Sequence, residues 1–300
     1  MSADIDMSTI TVLHHPRLLL VKTWLSDGII KAYDHAKHFT IEETTVSDIE
    51  ELSAFLTRLE EESHACIIRG AYIGKEPAGA ITRVGSHFED RPIHPILIEV
   101  DGFEPLCADP LADPVACCWE YIQTVLPPCF HDASYHWQLS NSAGHPKHAG
   151  MLKVHLWFFL QTPYTSLQLR EWAKAIHLDC DDSVFNPVQI HYTGAPVFEA
   201  GVSDPVPVRS GMVREAVDIV PLVIDPAILD AAQAKVRPPK GELVGETFDD
   251  GVAHFLLEKG LVLRRTKDRL YVKCPWDAGH SSGTPKRLYR RHVFPNICRP

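Results

Sequence analysis

The stretch Ile96-Leu97-Ile98-Glu99-Val100-Asp101-Gly102 runs from apolar residues into two carboxylates and then a glycine. Such a run predicts a buried strand that ends at a turn. Side chains alternate between the two faces of a strand, so Ile98 and Val100 share one face while Glu99 and Asp101 share the other. Two neighbouring carboxylates repel each other unless a cation neutralises them, and hard oxygen ligands suit Mg²⁺ or Mn²⁺. The alternative is that one acid caps the turn and the other is solvated.

The composition is that of a globular protein with room for one large domain and a small appendage. The chain has 300 residues, of which 45% are hydrophobic. It contains no run of 18 or more apolar residues that would predict a membrane span, and its acidic N-terminus is unlike a signal peptide. The eight cysteines have no framework spacing, which predicts reduced thiols. We therefore expect a cytoplasmic protein.

The charge is distributed unevenly along the chain. The net charge is −10, but residues 251–300 hold 11 Lys and Arg against 3 Asp and Glu, whereas residues 1–250 hold 18 against 36. This asymmetry favours an acidic, metal-binding body joined to a basic module that contacts phosphate backbones. A basic tail that is merely solvated remains the alternative.

Three helix starts are predicted from capping residues. Ser47 with Glu50 forms one capping-box pattern and Thr165 with Gln168 forms another, while Asp113-Pro114 places an N-cap before a proline at the first helical position. Each pattern precedes apolar residues at helical spacing. The sequence therefore predicts helices that begin near residues 48, 114 and 166.

Two further strands carry polar residues of interest. The segment 151–160 is apolar on both faces and includes His155, which predicts a central strand of its sheet. Cys66-Ile-Ile-Arg69-Gly70 predicts a strand that delivers Arg69 at a glycine turn. From the residues alone, a histidine on such an aromatic-rich strand is more often a satisfied core residue than a functional one.

The order of these features resembles the archaeo-eukaryotic primase superfamily, specifically the phage and plasmid primase-polymerases. That family is marked by a hydrophobic-Asp/Glu-hydrophobic-Asp/Glu strand, then a small-x-His motif, then a hydrophobic-Asp motif. The matching segments here are Ile98-Glu99-Val100-Asp101, Lys153-Val154-His155 and Cys180-Asp181. Lys153 stands where the family has a small residue. The resemblance spans about residues 60–220.

The resemblance implies an α+β fold in which a palm sheet like that of an RNA-recognition motif joins an N-terminal α/β module, with the catalytic cleft between them. A small, basic C-terminal segment with a candidate zinc site follows. We accordingly divide the chain into a primase-polymerase catalytic domain (1–225), a helical linker region (226–265) and the basic segment (266–300). Pro238-Pro-Lys-Gly241 is the clearest linker sequence.

The roles of the site residues are implied by the same resemblance. Glu99, Asp101 and Asp181 would hold two divalent ions, Mg²⁺ or Mn²⁺, and His155 would contact the phosphates or sugar of the incoming nucleotide. The further candidates for contact with the nucleotide or template are Arg69, Ser140, Ser142, Lys153, Asp182 and Arg209. A solvated turn remains the alternative for the acids at 179–182.

The C-terminal segment offers ligands for tetrahedral Zn²⁺. Cys274 and His280 form a Cys-x5-His start, and His292 and Cys298 follow in a basic context. This start resembles the zinc-binding segment of several primase-polymerases, which helps to hold the template or the initiating nucleotide. The spacing is looser than that of a Cys-x2-Cys finger.

The resemblance implies a template-dependent DNA primase-polymerase of a phage or plasmid, acting on single-stranded DNA in a bacterial cytoplasm. Its partners would be the template strand and nucleoside triphosphates, with a replicative helicase as a further candidate and no membrane. Two alternatives stay open. One is a metal-dependent nuclease, since clustered acids with a histidine also describe two-metal hydrolysis. The other is a catalytically silent replication initiator or single-strand-binding protein.

Overall fold

The computed structural model describes residues 7–74 and 81–235, and beyond them residues 255, 258–260, 262–265, 269–272 and 288–290. The helices and strands are, in chain order, β1 (Ser8–His14), β2 (Thr23–Trp24), β3 (Ile30–Lys31), β4 (His38–Val46), α1 (Ile49–Glu60), β5 (Ala65–Ile68), β6 (Ala71–Tyr72), β7 (Ile81–Thr82), β8 (Phe88–Glu89), β9 (Ile93–Phe103), α2 (Pro114–Val125), β10 (Tyr135–Leu139), β11 (Leu152–Tyr164), α3 (Ser166–Ala175), β12 (Val197–Phe198), β13 (Ser210–Val213), α4 (Pro226–Lys235), β14 (Val262–Arg265), β15 (Arg269–Val272) and β16 (Leu288–Arg290).

The central sheet consists of β13, β10, β11 and β9 in that spatial order, with every neighbouring pair antiparallel. Along the chain its elements follow the order β9-α2-β10-β11-α3-β13, a β-α-β-β-α-β arrangement. β11 lies between β9 and β10, the two strands joined through α2. In the same way, β10 lies between β11 and β13, the two strands joined through α3. The expected α+β class is confirmed at this level, and the long apolar strand that includes His155 is central, as predicted.

One face of the central sheet is apolar and packs against α2 and α3. Val154, Leu156 and Phe158 of β11 are fully buried on this face. Phe130, in a short 3-10 turn after α2, lies edge-on to Phe158 with ring centroids 5.0 Å apart, and Trp172 of α3 packs on Phe130. Burying each large apolar side chain contributes roughly 1.5–3 kcal/mol. This face therefore fixes the register of the strands that carry the site.

The helices on this face begin where their capping residues predict. The Asp113 carboxylate accepts a hydrogen bond of 2.9 Å from the backbone N–H of Ala116, and Pro114 occupies the first turn of α2. Thr165 and Gln168 form a reciprocal capping box at the start of α3. Both predictions are confirmed.

The cap of α1 differs from the prediction by one residue. Asp48, not Ser47, is the N-cap, and its carboxylate accepts from the backbone N–H of Glu51 at 2.8 Å. Glu51 in turn accepts from the backbone N–H of Ser47. The predicted pair of Ser47 with Glu50 was therefore wrong in register. Asp48 also places a full negative charge at the positive end of the helix dipole, which favours it over the serine.

The other face of the central sheet is polar and is partly covered by α1 and the N-terminal sheet. Ser53 of α1 forms a hydrogen bond of 2.9 Å with Nδ1 of His136 in β10. The N-terminal sheet has the order β5-β1-β4-β7 and is antiparallel. Ile67 of β5 bridges to His191, which lies in the segment that closes over this face. The polar residues near the end of β9 and the start of β11 lie on this same face of the central sheet.

The boundary between the two compact units of the chain lies between Val236 and Arg237. Ile228 and Leu229 of α4 pack against the core of the first unit, and Lys235 pairs with Glu171 of α3. Our division after residue 225 thus places α4 apart from the unit against which it packs. The observed boundary immediately precedes Pro238-Pro-Lys-Gly241, which itself lies outside the described residues.

The second unit contains the antiparallel sheet β14-β15-β16. The four candidate zinc ligands, Cys274, His280, His292 and Cys298, lie outside the described residues, so their prediction stays as it was. In the described part of the chain no helix is both long and apolar enough to cross a bilayer.

Candidate functional site

The pairing of β9 with β11 sets two acids opposite two basic side chains. Glu99 faces His155, and Asp101 faces Lys153. Residues directly opposite in an antiparallel pair project on the same side, so all four groups share the polar face of the central sheet. The prediction that Glu99 and Asp101 share a face is confirmed by this register.

A β-bulge lies beside these pairs. The register between β9 and β11 shifts between Leu152, which faces Phe103, and Lys153, which faces Asp101. Gly102 has φ +111°, in the left-handed region where a side chain would be strained. The strand therefore does not end at Gly102 as predicted but continues to Phe103 through an irregularity. Bulges of this kind re-aim side chains next to functional sites.

The four groups open into a cavity of about 250 Å³. Its acidic lining residues are Glu99, Asp101 and Asp181, and its basic or hydroxyl-bearing ones are Lys22, Ser140, Ser142, Lys153 and His155. The remaining lining residues are aromatic, amide or aliphatic, and they are Tyr33, Asn141, Gln189, Ile190, His191 and Tyr192. All four predicted catalytic residues lie here, and so do the candidates Ser140, Ser142 and Lys153. Arg69, Asp182 and Arg209 do not line this cavity.

Glu99 and His155 form an electrostatic pair. Glu99 Oε1 lies 3.8 Å from His155 Nε2, which is longer than a hydrogen bond. Interaction with the His155 ring holds the pKa of Glu99 below its usual value, against the opposing effect of burial. The carboxylate is therefore charged at neutral pH.

Asp101 forms an ion pair with Lys153. The Asp101 side chain is 64% exposed and that of Lys153 is 13% exposed, so the pair lies at the cavity wall with the carboxylate outermost. Burial lowers the pKa of Lys153, and the nearby ammonium of Lys22 lowers it further. The lysine that departs from the family motif is thus a partner of the second acid.

Lys22 is a site residue that the sequence did not suggest. Its Nζ lies 3.5 Å from Ser142 Oγ, and its backbone N–H donates to Asn141 Oδ1 at 2.8 Å. Burial lowers the pKa of Lys22, while Glu99 raises it. The available signal was a lysine that directly follows the apolar run Leu18-Leu-Leu-Val, since such a position predicts a partly buried ammonium.

Hydrogen bonds hold the loop of residues 140–144 at the cavity. Asn141 Nδ2 donates to the carbonyl of Gly194 at 2.8 Å, and the hydroxyls of Ser140 and Ser142 lie 3.3 Å apart. Arg209 donates to the carbonyl of Ser140 at 3.3 Å. These contacts present two hydroxyl groups and an ammonium together, which is an arrangement that suits a phosphate group.

Arg209 therefore acts from behind the loop. Its guanidinium makes a two-pronged ion pair with Asp204, at 2.6 and 2.7 Å, and its side chain is 6% exposed. With its donors directed to Asp204 and Ser140, it supports the loop. The predicted contact of Arg209 with phosphate or template is not favoured by this position.

Two tyrosines stack at the cavity. The rings of Tyr33 and Tyr192 are parallel within 5°, with centroids 3.5 Å apart, and Lys22 Nζ lies 5.4 Å from the centre of the Tyr33 ring. Burial raises the pKa of both phenols. Neither residue was predicted, because the two rings come from segments far apart in the chain and only the fold joins them.

Arg69 lies in the interior rather than at the cavity. Its guanidinium donates to the carbonyls of Pro95 and Tyr164 and to the Ser166 hydroxyl. Burial lowers its pKa to about 10. The expectation that Arg69 contacts phosphate is corrected here, since its donors join β9, β11 and α3.

The structure places Asp181 and Asp182 in different surroundings. Asp181 lines the cavity, and its carboxylate accepts from the backbone N–H of Ser183 at 2.8 Å and from the Ser183 hydroxyl at 2.9 Å. Asp182 faces away and pairs with Arg170 and Lys174, at 3.6 and 3.4 Å. Asp182 is thus placed outside the site, in contrast to its predicted role.

The donor set fits a divalent cation in chemistry. Glu99, Asp101 and Asp181 supply carboxylate oxygens around one cavity, and Mg²⁺ and Mn²⁺ prefer such ligands. In the described part of the chain, however, no three His, Cys, Asp or Glu side chains stand close enough to share one ion. Cation binding at these residues would therefore require their carboxylates to move closer together, and Asp101 would have to exchange Lys153 for the ion.

Comparison of the chain with protein-family models, with curated proteins and with solved structures found no match.

Proposed function

We propose that the protein is a template-dependent DNA primase-polymerase, a nucleotidyltransferase that starts or extends strands on single-stranded DNA. One observation carries the proposal, which is the convergence of three separated motifs on one cavity. Glu99 and Asp101 come from β9, His155 comes from β11, and Asp181 comes from the loop after α3. The β-α-β-β-α-β order of elements along the chain is the one expected of a palm of the RNA-recognition-motif kind, but the spatial order β13-β10-β11-β9 places the first of the four strands at an edge, where that kind of sheet has its second.

The basic and hydroxyl groups of the cavity would bind the triphosphate. Lys22, Lys153, Ser140 and Ser142 present ammonium and hydroxyl donors to the same space. Charge-assisted hydrogen bonds to phosphate oxygens are shorter and stronger than neutral ones, and partial burial strengthens them further. His155 lines the same cavity beside Glu99, where its ring can donate to a phosphate or sugar oxygen.

The three carboxylates would hold the divalent cations. Mg²⁺ or Mn²⁺ bound there would supply the charge neutralisation and hydroxyl activation on which two-metal nucleotidyl transfer depends. Lys153, once released from Asp101, would be free to donate to the triphosphate. The cross-strand ion pair would then hold the acid in place before the substrate arrives.

The template and the partners belong to the same proposal. Residues 251–300 carry 11 Lys and Arg against 3 Asp and Glu, a balance that favours contact with a phosphate backbone. Tyr289 stands between basic residues and would stack on bases. A Zn²⁺ site in this segment, a replicative helicase as partner and a phage or plasmid origin are parts of the proposal that rest on the family resemblance alone.

The ion pair between Lys153 and Asp101 favours a second candidate. A lysine that permanently neutralised the acid would leave a site that binds nucleotide or single-stranded DNA without turnover. Such a protein would be a replication initiator or a single-strand-binding protein. The two candidates differ in whether the native protein synthesises DNA.

Primer extension and de novo synthesis on single-stranded DNA, with nucleoside triphosphates and Mg²⁺ or Mn²⁺, test the proposal. We expect the native protein to lengthen or start strands, and we expect Glu99→Gln and Asp101→Asn to lose at least about 100-fold in rate, the scale for removing one charged catalytic group. Glu89→Gln is the matched control, because Glu89 is an exposed acid paired with Arg91 away from the cavity.

Three results would contradict the proposal in different ways. DNA that shortens without nucleoside triphosphates would identify a nuclease. DNA binding that survives Asp101→Asn, with no synthesis by the native protein, would identify the second candidate. Equal synthesis by the native protein and by folded Glu99→Gln and Asp101→Asn would place the active site elsewhere. Thermal unfolding of each variant shows whether it is folded.

A further inference from the structure

Beneath His155, the polar face of the central sheet encloses a group of buried polar atoms. Six of these atoms have no hydrogen-bond partner within residues 7–74 and 81–235, and they are His136 Nε2, Gln138 Oε1, His155 Nδ1, Trp157 Nε1, His191 Nε2 and Thr193 Oγ1. We call these residues the buried polar cluster. Buried polar atoms in folded proteins are nearly always hydrogen-bonded to protein or to ordered water.

The members of the buried polar cluster are neighbours in space. Gln138 faces His155 across the β10–β11 pair, and His136 faces Trp157. The ring of His191 packs edge-on against Trp157, with centroids 5.9 Å apart. Gln138 Nε2 donates to the backbone carbonyl of residue 193 at 2.5 Å. The six atoms therefore belong to one region rather than to six separate sites.

The chemistry of the cluster requires a partner that both donates and accepts. The Trp157 indole N–H is only a donor, and Gln138 Oε1 is only an acceptor. Burial lowers the pKa of His136 to about 4 and that of His191 to about 3, so both rings are neutral at pH 7 and each has one nitrogen that accepts. Water meets both needs. A buried water makes about three hydrogen bonds, so about two waters would satisfy the six atoms.

We propose that the protein holds ordered water in the buried polar cluster, and that Gln138 and His191 act through this water as positioning residues for His155. His155 Nε2 faces the Glu99 carboxylate, which favours a proton on that nitrogen. Nδ1 is then a bare acceptor, and it takes a hydrogen bond from the enclosed water. A hydrogen bond at one ring nitrogen fixes the tautomer and orientation of the other.

The functional part of this inference rests on the proposed function, in which His155 contacts the incoming nucleotide. A ring held by solvent on one side and by Glu99 on the other presents Nε2 to the cavity in one orientation. Loss of the water would let the ring rotate or change tautomer. We then expect the rate of nucleotidyl transfer to fall more than the KM for the nucleotide rises.

The test compares His191→Phe with His191→Gln. Phenylalanine keeps the ring volume and the packing on Trp157 but removes the polar nitrogens, whereas glutamine restores a polar atom near the position of Nε2. His94→Phe is the matched control, because His94 is also a buried histidine stacked on β11, through Phe159, and lies away from the cavity. The ring ¹⁵N chemical shifts of His155 report its tautomer without any substrate, and a high-resolution crystal structure locates the water.

We expect ordered water bonded to His155 Nδ1 and a single Nε2–H tautomer in the native protein, in His191→Gln and in His94→Phe. In His191→Phe we expect averaged ring shifts and a loss of about 10–100-fold in the rate of synthesis, the usual scale for removing an outer positioning group. A dry cluster, a proton on Nδ1 in the native protein, or unchanged shifts in His191→Phe would overturn the inference. If the shifts behave as expected but the native protein makes no DNA, the proposed function fails while the water cluster stands.

Discussion

Replacing Arg69 with methionine is expected to destabilise the protein rather than to weaken nucleotide binding. Arg69 is 5% exposed, and its guanidinium donates to the carbonyls of Pro95 and Tyr164, the latter at 3.0 Å. A further bond of 3.3 Å reaches the hydroxyl of Ser166 at the start of α3. These bonds join β9 to the end of β11, so they maintain the strand pair that carries the site.

The magnitude follows from the groups that would lose their donor. Methionine keeps the apolar stem but leaves two buried carbonyls without a partner, and each such acceptor costs about 1–3 kcal/mol. The two together predict a loss of about 2–6 kcal/mol. Removal of the guanidinium also removes its own desolvation cost, which places the expected value at about 3 kcal/mol. That is a large share of the roughly 5–15 kcal/mol by which folded proteins are stable.

Urea-induced unfolding, followed by circular dichroism, measures this loss. Arg91→Met is the control, because Arg91 is exposed and its pair with Glu89 is worth at most about 1 kcal/mol. Nucleoside triphosphate affinity is measured on both variants under conditions in which each is folded. Unchanged stability of Arg69→Met together with a weaker affinity would refute the reasoning and return Arg69 to the role of a phosphate contact.

Three further predictions concern the loop, the core and the cavity. Gly144→Ala is expected to lower stability by about 1–3 kcal/mol in thermal unfolding, because Gly144 has φ +88° and an added Cβ would lie 2.7 Å from Pro205 Cγ. Burial lowers the pKa of His136 to about 4 from 6.5, so the unfolded state binds the proton first as the pH falls. His136 therefore leaves the free energy of unfolding unchanged with pH above about 6.5 and lowers it by up to about 1.4 kcal/mol per pH unit towards pH 4. Urea unfolding measured across this pH range should show a smaller fall in the free energy of unfolding for His136→Leu. Lys22→Met is expected to raise the KM for the nucleoside triphosphate by about 10–100-fold with unchanged stability, since a hydrogen bond to a charged group is worth about 1.5–3 kcal/mol.

Features set by local chemistry could be predicted from the sequence. The caps at Asp113 and Thr165 depend on a few adjacent residues, and the alternation of Glu99 and Asp101 depends only on the geometry of one strand. The cap of α1 was misplaced by one residue because Ser47 and Asp48 are both good capping residues. Local patterns decide the type of element more reliably than its first residue.

Features that depend on contacts between distant segments could not be predicted. The partner of Asp101 became visible only with the register of β9 against β11 and its bulge. The stacking of Tyr33 on Tyr192 joins residues from segments far apart in the chain. The sequence predicts that Arg69 is a cation at a turn. In the structure it is buried and donates to two backbone carbonyls, so it joins strands instead of contacting a ligand. Each of these depends on tertiary packing, which no single segment determines.

The alternation of side chains along β9 ties the integrity of the core to the existence of the site. If β9 slipped by one residue against β11, Glu99 and Asp101 would turn into the layer filled by Phe158 and its neighbours, and the apolar side chains would turn to water. A chain that achieves its native packing therefore assembles the acidic and basic pairs at the same moment. A substitution of one of these side chains can abolish the site. A shift in the register of β9 against β11 cannot do so in a correctly folded molecule, because the same shift would expose the core.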